Sequence, residues 1–428
     1  MSPNNRKILS GLFLVLMLAS PKKIFAAAAQ GTFWHYQCID TVKYSRDTAR
    51  AWSGKEAQLS ALINAQMGQI ANTGANCVAI DTPYDPEFTT FLSKWVLAAR
   101  ANGLMVWFRG NLSGWEGWFN YPRLSSGSQH NEEVYRFIAQ NPSLFKDGDM
   151  FTPAPEPENG ILGSPFAGPQ AAENLRQFMV SSYRNCQTAF KAINKNVGCG
   201  FYSTNGDVAK QILNQRTVQG IGGLVAVDHY VKTAEQLESD LQNLRDEFGT
   251  NVFLGEFGAP IPDLQGNLTE AGQAMVVGQM LNAAYRKKSF ITGINYWTLS
   301  GGSTALVNDD GSARQAYDVV RDYYDPGKIT GTVYDDAGDR LVNAAVSDEG
   351  TNATATDKYG NFSLLVPAEN SIALKVSLTG FVPATGALTV GPGGVGRLDF
   401  TLSPAHPSIF YRLKNFFRNI YRKFFYRS

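Results

Sequence analysis

Glu156, in Thr-Pro-Ala-Pro-Glu-Pro-Glu-Asn, and Glu256, in Val-Phe-Leu-Gly-Glu-Phe-Gly, each follow a short run that should end as a buried strand. Two carboxyl groups flanking a scissile bond are what hydrolysis of a glycosidic bond requires. One protonates the leaving oxygen, and the other attacks or activates water. Glu256 comes after Val252-Phe-Leu, so a strand would deliver it to the mouth of a barrel, with Gly255 and Gly258 letting backbone approach a ligand. Glu156 is stiffened by its neighbouring prolines, which suits an acid whose proton must point at one oxygen. Glu158, two residues on, competes for that role.

Other residues would surround the pair. Arg109 ends an apolar run and offers a guanidinium that favours an ionised carboxylate nearby. His229 and Tyr230 end Leu224-Val-Ala-Val-Asp, where Tyr could donate a hydrogen bond to a nucleophilic carboxylate and His could order the site. Trp297, in Ile-Asn-Tyr-Trp-Thr, could form the floor of a sugar subsite. The segment Asn111-Leu-Ser-Gly-Trp115-Glu-Gly-Trp118-Phe-Asn-Tyr121 reads as an aromatic loop too Gly-rich for a helix. Trp115 and Trp118 would line a saccharide cleft or cap the barrel.

Such residues need elements that bring them to one face. Between residues 30 and 326, eight short apolar runs alternate with helical patterns: 32–38, 76–81, 104–109, 149–154, 197–203, 223–229, 251–256 and 292–298. Mostly unbroken apolar runs fit parallel strands buried on both faces. Helix signals lie between them: Ser53-Gly-Lys-Glu56 as a capping box, Asp85-Pro86 as a start, Gly103 as a stop, and Thr233 and Thr269 as caps. Leu237, Leu241 and Leu244 share one helical face. Eight strand–helix units predict an α/β fold, a (β/α)8 TIM barrel, whose strand C-termini share the functional face. A doubly wound sheet is the rival, but no Gly-rich phosphate loop follows any strand.

Beyond Asp325-Pro-Gly the pattern changes to short alternating strands with turn residues, a small all-β sandwich over 327–404. The termini differ again. Of the 38 Lys and Arg, four lie in 1–30 and six in 405–428, neither of which contains an acid, leaving 28 against all 37 acidic residues in the body. An acidic body does not suggest a nucleic-acid partner. Arg6-Lys7, the apolar run from Ile8 to Ala19 and the alanines 26–29 read as an export signal over 1–29, with an uncleaved anchor as the alternative. The protein is therefore expected to be secreted or displayed at the cell surface. Cys186 and Cys199 are placed to bridge, although buried free thiols fit equally well; no Cys/His spacing suggests zinc. In the 405–428 tail, Phe410, Leu413, Phe417, Ile420 and Phe424 recur at helical spacing with Arg and Lys on other faces. That pattern fits an amphipathic helix on an anionic membrane, a helix packed on the sandwich, or a sorting tag.

These motifs resemble clan A of the glycoside hydrolases, the retaining barrels that include family 5 cellulases and mannanases. Gly255-Glu256-Phe-Gly looks like the strand-seven nucleophile motif, and Pro155-Glu156-Pro157 like the strand-four acid/base motif. His229-Tyr230 is similar to the strand-six pair and Trp297 to the strand-eight platform. The chain departs from the pattern in having Pro155 where the family has the Asn that contacts the sugar 2-hydroxyl, and in having His and Tyr adjacent. Residues 329–403, with Ile-Thr-Gly-Thr-Val-Tyr-Asp and Thr356-Asp-Lys-Tyr-Gly-Asn-Phe, resemble the carboxypeptidase regulatory-like sandwich, a spacer or adhesion module.

The resemblance implies a retaining O-glycosidase acting on a poly- or oligosaccharide, with catalytic Glu156 and Glu256 and no metal or cofactor. Arg109, Trp115, Trp118, Glu158, His229, Tyr230 and Trp297 would bind substrate. The alternative is a non-catalytic surface protein that holds polysaccharide on a degenerate barrel.

Overall fold

The computed structural model describes residues 31–52, 54–348, 352–368 and 371–407, with 409, 411, 413, 416 and 417. The expected export signal and Ser53 of the capping box lie outside them, as do Phe410, Ile420 and Phe424 of the tail.

The strands of the first domain are β1 (Tyr36–Asp40), β2 (Cys77–Ile80), β3 (Met105–Phe108), β4 (Met150–Phe151), β5 (Gly198–Cys199), β6 (Thr204–Asn205), β7 (Leu224–Asp228), β8 (Asn251–Phe257) and β9 (Ile291–Tyr296). All pair in parallel, in the order β5-β4-β3-β2-β1-β9-β8-β7-β6. Of the two ends of that order, β5 lies within the expected strand 197–203, whereas β6 begins just past its end. Between them the chain bends at Gly200, Phe201 and Ser203, all at positive φ. β5 pairs with β4 and β6 with β7, so the sheet closes into an eight-staved TIM-like barrel.

Helices return each strand to the next, among them Glu56–Asn72, Thr89–Ala101, Gly127–Gln140, Pro169–Ala192, Ala234–Phe248, Glu270–Arg286 and Gln315–Tyr324. Thr233 and Thr269 cap as their sequence suggests, their side chains accepting from the amides of Gln236 and Gly272. Leu237, Leu241 and Leu244 face the sheet. Asp85 does not cap. Pro86 starts a single 3-10 turn, and the Asp85 carboxylate instead accepts from the Ser113 amide at 2.8 Å and its hydroxyl at 2.5 Å, tying two loops of the mouth together.

The strands are buried on both faces, and the two faces have different cores. Tyr36, Cys38, Cys77, Ala79, Trp107, Met150, Phe201, Leu224, Ala226 and Phe253 fill the barrel interior, each large side chain being worth about 1.5–3 kcal/mol over exposure. Alternate residues such as Ile39, Val78, Val106, Phe108, Val225 and Leu254 pack outward under the helices. The interior is therefore plugged, and polar side chains collect above the plug. Disulfides join Cys186 to Cys199, the pair the sequence brings within reach, and Cys38 to Cys77 across β1 and β2.

The second domain packs one sheet, β13 (Asn361–Val366), β10 (Gly327–Asp335), β16 (Val395–Arg397) and β17 (Phe400–Leu402), on another, β12 (Asn352–Ala355), β11 (Ala345–Asp348), β14 (Ile372–Ser377) and β15 (Ala384–Leu388). Alternation such as buried-exposed-buried along β13 and β14 supplies the shared core of Ile329, Val333, Val346, Phe362, Leu364, Leu374 and Phe400. The sandwich leans on the base of the barrel through Tyr285 Oη donating to Asp348 Oδ2 at 2.5 Å, and through the Ala368 amide to the Asp322 carbonyl at 2.8 Å.

Candidate active site

Six strands end in polar side chains at the C-terminal mouth. Asp40 closes β1, Asp81 follows β2, Arg109 follows β3, Asp228 closes β7, Glu256 stands near the end of β8, and Trp297 follows β9. Because the strands are parallel and the interior is plugged, these ends converge. Arg109, only 4% exposed, is the hub. One terminal nitrogen lies 3.3 Å from Asp40 Oδ2 and 3.2 Å from Asp81 Oδ1; the other lies 2.8 Å from Asp228 Oδ2 and 2.5 Å from Glu256 Oε1. The planar fork of guanidinium donors suits such a shared role.

A bulge in β8 aims Glu256. Against β7, Leu254 pairs with Val227 and Glu256 with Asp228, leaving Gly255 as the extra residue. Against β9 the register slips at the same place. The carbonyl of Gly255 is taken up by the Asn295 side chain at 2.9 Å. A Cβ on Gly255 would lie 2.1 Å from Ser203 Oγ and 2.6 Å from Asp228 Oδ1, so only glycine lets Ser203 and Asp228 close under the bulge. Glu256 thereby leaves the wall for the mouth, where Oε1 faces Arg109 and Oε2 accepts from the Tyr230 hydroxyl at 2.7 Å.

Glu156 reaches the same cavity from the β4 loop. Its backbone is left-handed, at φ 43° and ψ 58°, wedged between Pro155 and Pro157. Its amide is tied to the Tyr202 carbonyl at 2.9 Å. A cavity of about 150 Å³ is lined by Glu156, Glu256, Asp81, Arg109, Arg46, Glu116, Trp118, Pro155, Val42 and Trp297.

The charges differ by place. Burial, then repulsion from Glu256, pushes Glu156 up to about 6, against the pull of Arg109. Burial, then Glu156, raises Glu116 to about 7. Burial raises Asp81 to about 6, although Arg109 and Arg46 oppose it. Asp40 and Asp228 are pushed well above the carboxylate range, first by burial and then by Asp81 and Glu256 respectively. Burial works against the charge of Arg109, but Glu256, Asp228, Asp81 and Asp40 outweigh it. Burial and then Glu256 hold the Tyr230 phenol protonated.

Of the residues singled out in the sequence, Glu156, Glu256, Arg109, Trp118, Tyr230 and Trp297 meet at this mouth; Tyr230 and Trp297 pack edge to face at 6.2 Å. Three do not serve as expected. Trp115 is fully buried, stacked on Phe178 at 4.5 Å, and offers no face to a sugar. The segment around it is not one open loop: Ser113–Glu116 forms a helical turn ended by left-handed Gly117, which turns Trp115 inward and Trp118 toward the cavity. His229 bonds Asp240 at 2.9 Å, on the helix behind the sheet. Glu158 caps the backbone instead, accepting from the Asn205 amide at 3.1 Å, and does not line the cavity.

Asp40, Asp81, Asp228, Ser203, Arg46 and Glu116 were not anticipated. The first three share a signal with Glu256, an acid closing an apolar strand: Cys-Ile-Asp40, Ala-Ile-Asp81 and Ala-Val-Asp228.

Closed on itself by strand pairing, the first domain is a TIM-like barrel with its polar cluster at the C-terminal mouth. Residues 328–403 of the second match the family model of the carboxypeptidase regulatory-like domain. No curated protein matches the chain in sequence. Solved structures similar to it include a fungal β-1,4-galactanase, 14% identical over 67% of this chain and 99% of that one, with a TM-score of 0.46. A Bacteroides ovatus GH5 xyloglucanase with a bound heptasaccharide is 14% identical over 60% of this chain and 66% of its own, at a TM-score of 0.43. A xyloglucan-specific endo-β-1,4-glucanase from a metagenomic library, solved with cellotriose, is 13% identical over 61% of this chain and 87% of its own, at 0.44. The barrel rests not on these likenesses but on its own strand order and closure.

Proposed function

We propose that the chain is an exported retaining O-glycosidase acting on a poly- or oligosaccharide. Glu256, as a carboxylate, attacks the anomeric carbon; the bond to the leaving oxygen breaks as Glu156 gives that oxygen its proton. Glu156 then takes a proton from water, the water oxygen bonds the anomeric carbon, and the ester to Glu256 breaks. The reaction calls for no metal or cofactor. One observation carries this reading. The two carboxyls face one cavity in opposite settings: both Glu256 oxygens accept from charged or phenolic donors, whereas burial and Glu256 lift Glu156 to about 6, the condition for holding a proton. The bound sugar would have Trp118 and Trp297 beside it.

The test is incubation with 2-deoxy-2-fluoro glycosides bearing a good leaving group. A stable ester on Glu256 and product of retained configuration are expected. Label on another residue, or inverted product, sinks the assignment. Export is checked by N-terminal sequencing of protein recovered outside the cell; a mature chain starting near residue 30 is expected.

A non-catalytic saccharide-binding barrel is favoured by one observation, Pro155 in the cavity wall, which brings no side-chain donor to the sugar. Saccharide binding indifferent to Glu256→Gln, with no turnover of any polysaccharide in a broad panel, would establish it.

A further inference from the structure

Beyond the sandwich, several described apolar side chains of the C-terminal segment are exposed to solvent. Residues 409, 411, 413, 416 and 417 of that segment are helical. At about 100° per residue, Ile409, Leu413, Phe416 and Phe417 fall within an arc of about 100°, with Tyr411 on the opposite side. The apolar arc points outward: Ile409 is 70% exposed, Leu413 47%, Phe416 59% and Phe417 64%. Tyr411, across the helix, is half-buried. A helix covering its own protein would present the reverse.

We propose that this face docks on an anionic lipid surface and holds the protein there. Two features choose this occupant. Four large apolar side chains on one arc need hydrocarbon to cover them, which an anionic polysaccharide does not supply. Residues 405–428 carry six basic side chains and no acid, while the body holds 28 basic against 37 acidic residues. The body is repelled by an anionic surface and the tail is drawn to it, so contact is confined to the tail. A second copy is disfavoured by the same charges, since pairing two tails would bring twelve cations together. Among the described residues no helix is long and apolar enough to cross a membrane. The sandwich lies between barrel and tail in the chain.

The experiment is co-sedimentation of the full chain with vesicles of phosphatidylcholine alone and of phosphatidylcholine with phosphatidylglycerol. Three proteins are compared, all with the same N-terminus: wild type, Phe416→Asp/Phe417→Asp, and Arg412→Gln/Lys414→Gln/Arg418→Gln. Wild type is expected to partition at least about tenfold more onto the anionic vesicles, with the preference lost at high salt. The Asp variant is expected to stay in solution with an unchanged melting temperature, and the Gln variant to lose the preference for anionic lipid. Equal binding to both vesicles by wild type, or undiminished binding by the Asp variant, overturns the proposal. A dimer mass in solution that the Asp variant abolishes would give the face to a second copy and overturn it too. No catalytic readout enters, so the result is independent of the proposed glycosidase activity.

Discussion

The Tyr230 hydroxyl donates to Glu256 Oε2 at 2.7 Å, on the carboxylate oxygen that Arg109 leaves free. Each oxygen of Glu256 thus has one donor, so the carboxylate is held in one orientation without the packing partners a core side chain would need.

Removing that donor should slow chemistry without disturbing the fold. A hydrogen bond to a charged group is worth about 1.5–3 kcal/mol. Tyr230→Phe is therefore expected to reduce the rate of ester formation on Glu256 by about 10- to 150-fold, read from single-turnover labelling with a fluoro glycoside. An unchanged labelling rate would show that the bond does not serve the nucleophile.

Arg109 compensates four buried acids at once. Arg109→Met should cost about 3–5 kcal/mol of stability at pH 7.5, the usual penalty for leaving a buried charge without its partner. The loss should shrink at pH 5, where Asp81, raised by burial to about 6, takes up its proton and no longer needs a cation. Urea denaturation at the two pH values checks both points.

Glu116 gives the pH dependence of stability a sign. Its carboxyl is raised from 4.5 to about 7 by burial and by Glu156, so the folded state binds a proton that the unfolded state has released across that window. Its contribution is present below pH 4.5 and is lost as pH rises toward 7. Glu116→Gln should flatten the fall in melting temperature between pH 4.5 and 7.5, seen by scanning calorimetry. An unchanged slope would mean that Glu116 does not hold its proton in the fold.

The two tryptophans of one short segment should behave oppositely. Trp115→Ala opens the core against Phe178 and should cost about 3–5 kcal/mol. Trp118→Ala, at the cavity, should leave the melting temperature near wild type and raise KM for an oligosaccharide. Equal stability losses would place both rings in the core.

How far the sequence reached is clearest at particular residues. All eight expected strands have counterparts, because unbroken apolar runs punctuated by caps leave a parallel sheet few other arrangements. Trp115 and Trp118 could not be separated by residue type, since left-handed Gly117 between them sends one ring inward and the other to the cavity. Nor could His229 be assigned: adjacent strand-end residues point to opposite faces, and Tyr230 took the mouth while His229 took the helix behind it.

The residues themselves determined which strand ends carry acids, that Glu256 follows an apolar strand through a glycine, and that the tail is basic and acid-free. These follow from local chemistry that neighbours in the chain impose. Tertiary structure alone decided that Asp40, Asp81, Asp228 and Glu256 share one guanidinium, and that a bulge at Gly255 lifts Glu256 into the mouth beside Glu156. Sharing depends on barrel closure and inter-strand register, which join residues far apart in the chain. Spacing along one strand does not encode what stands at the end of another.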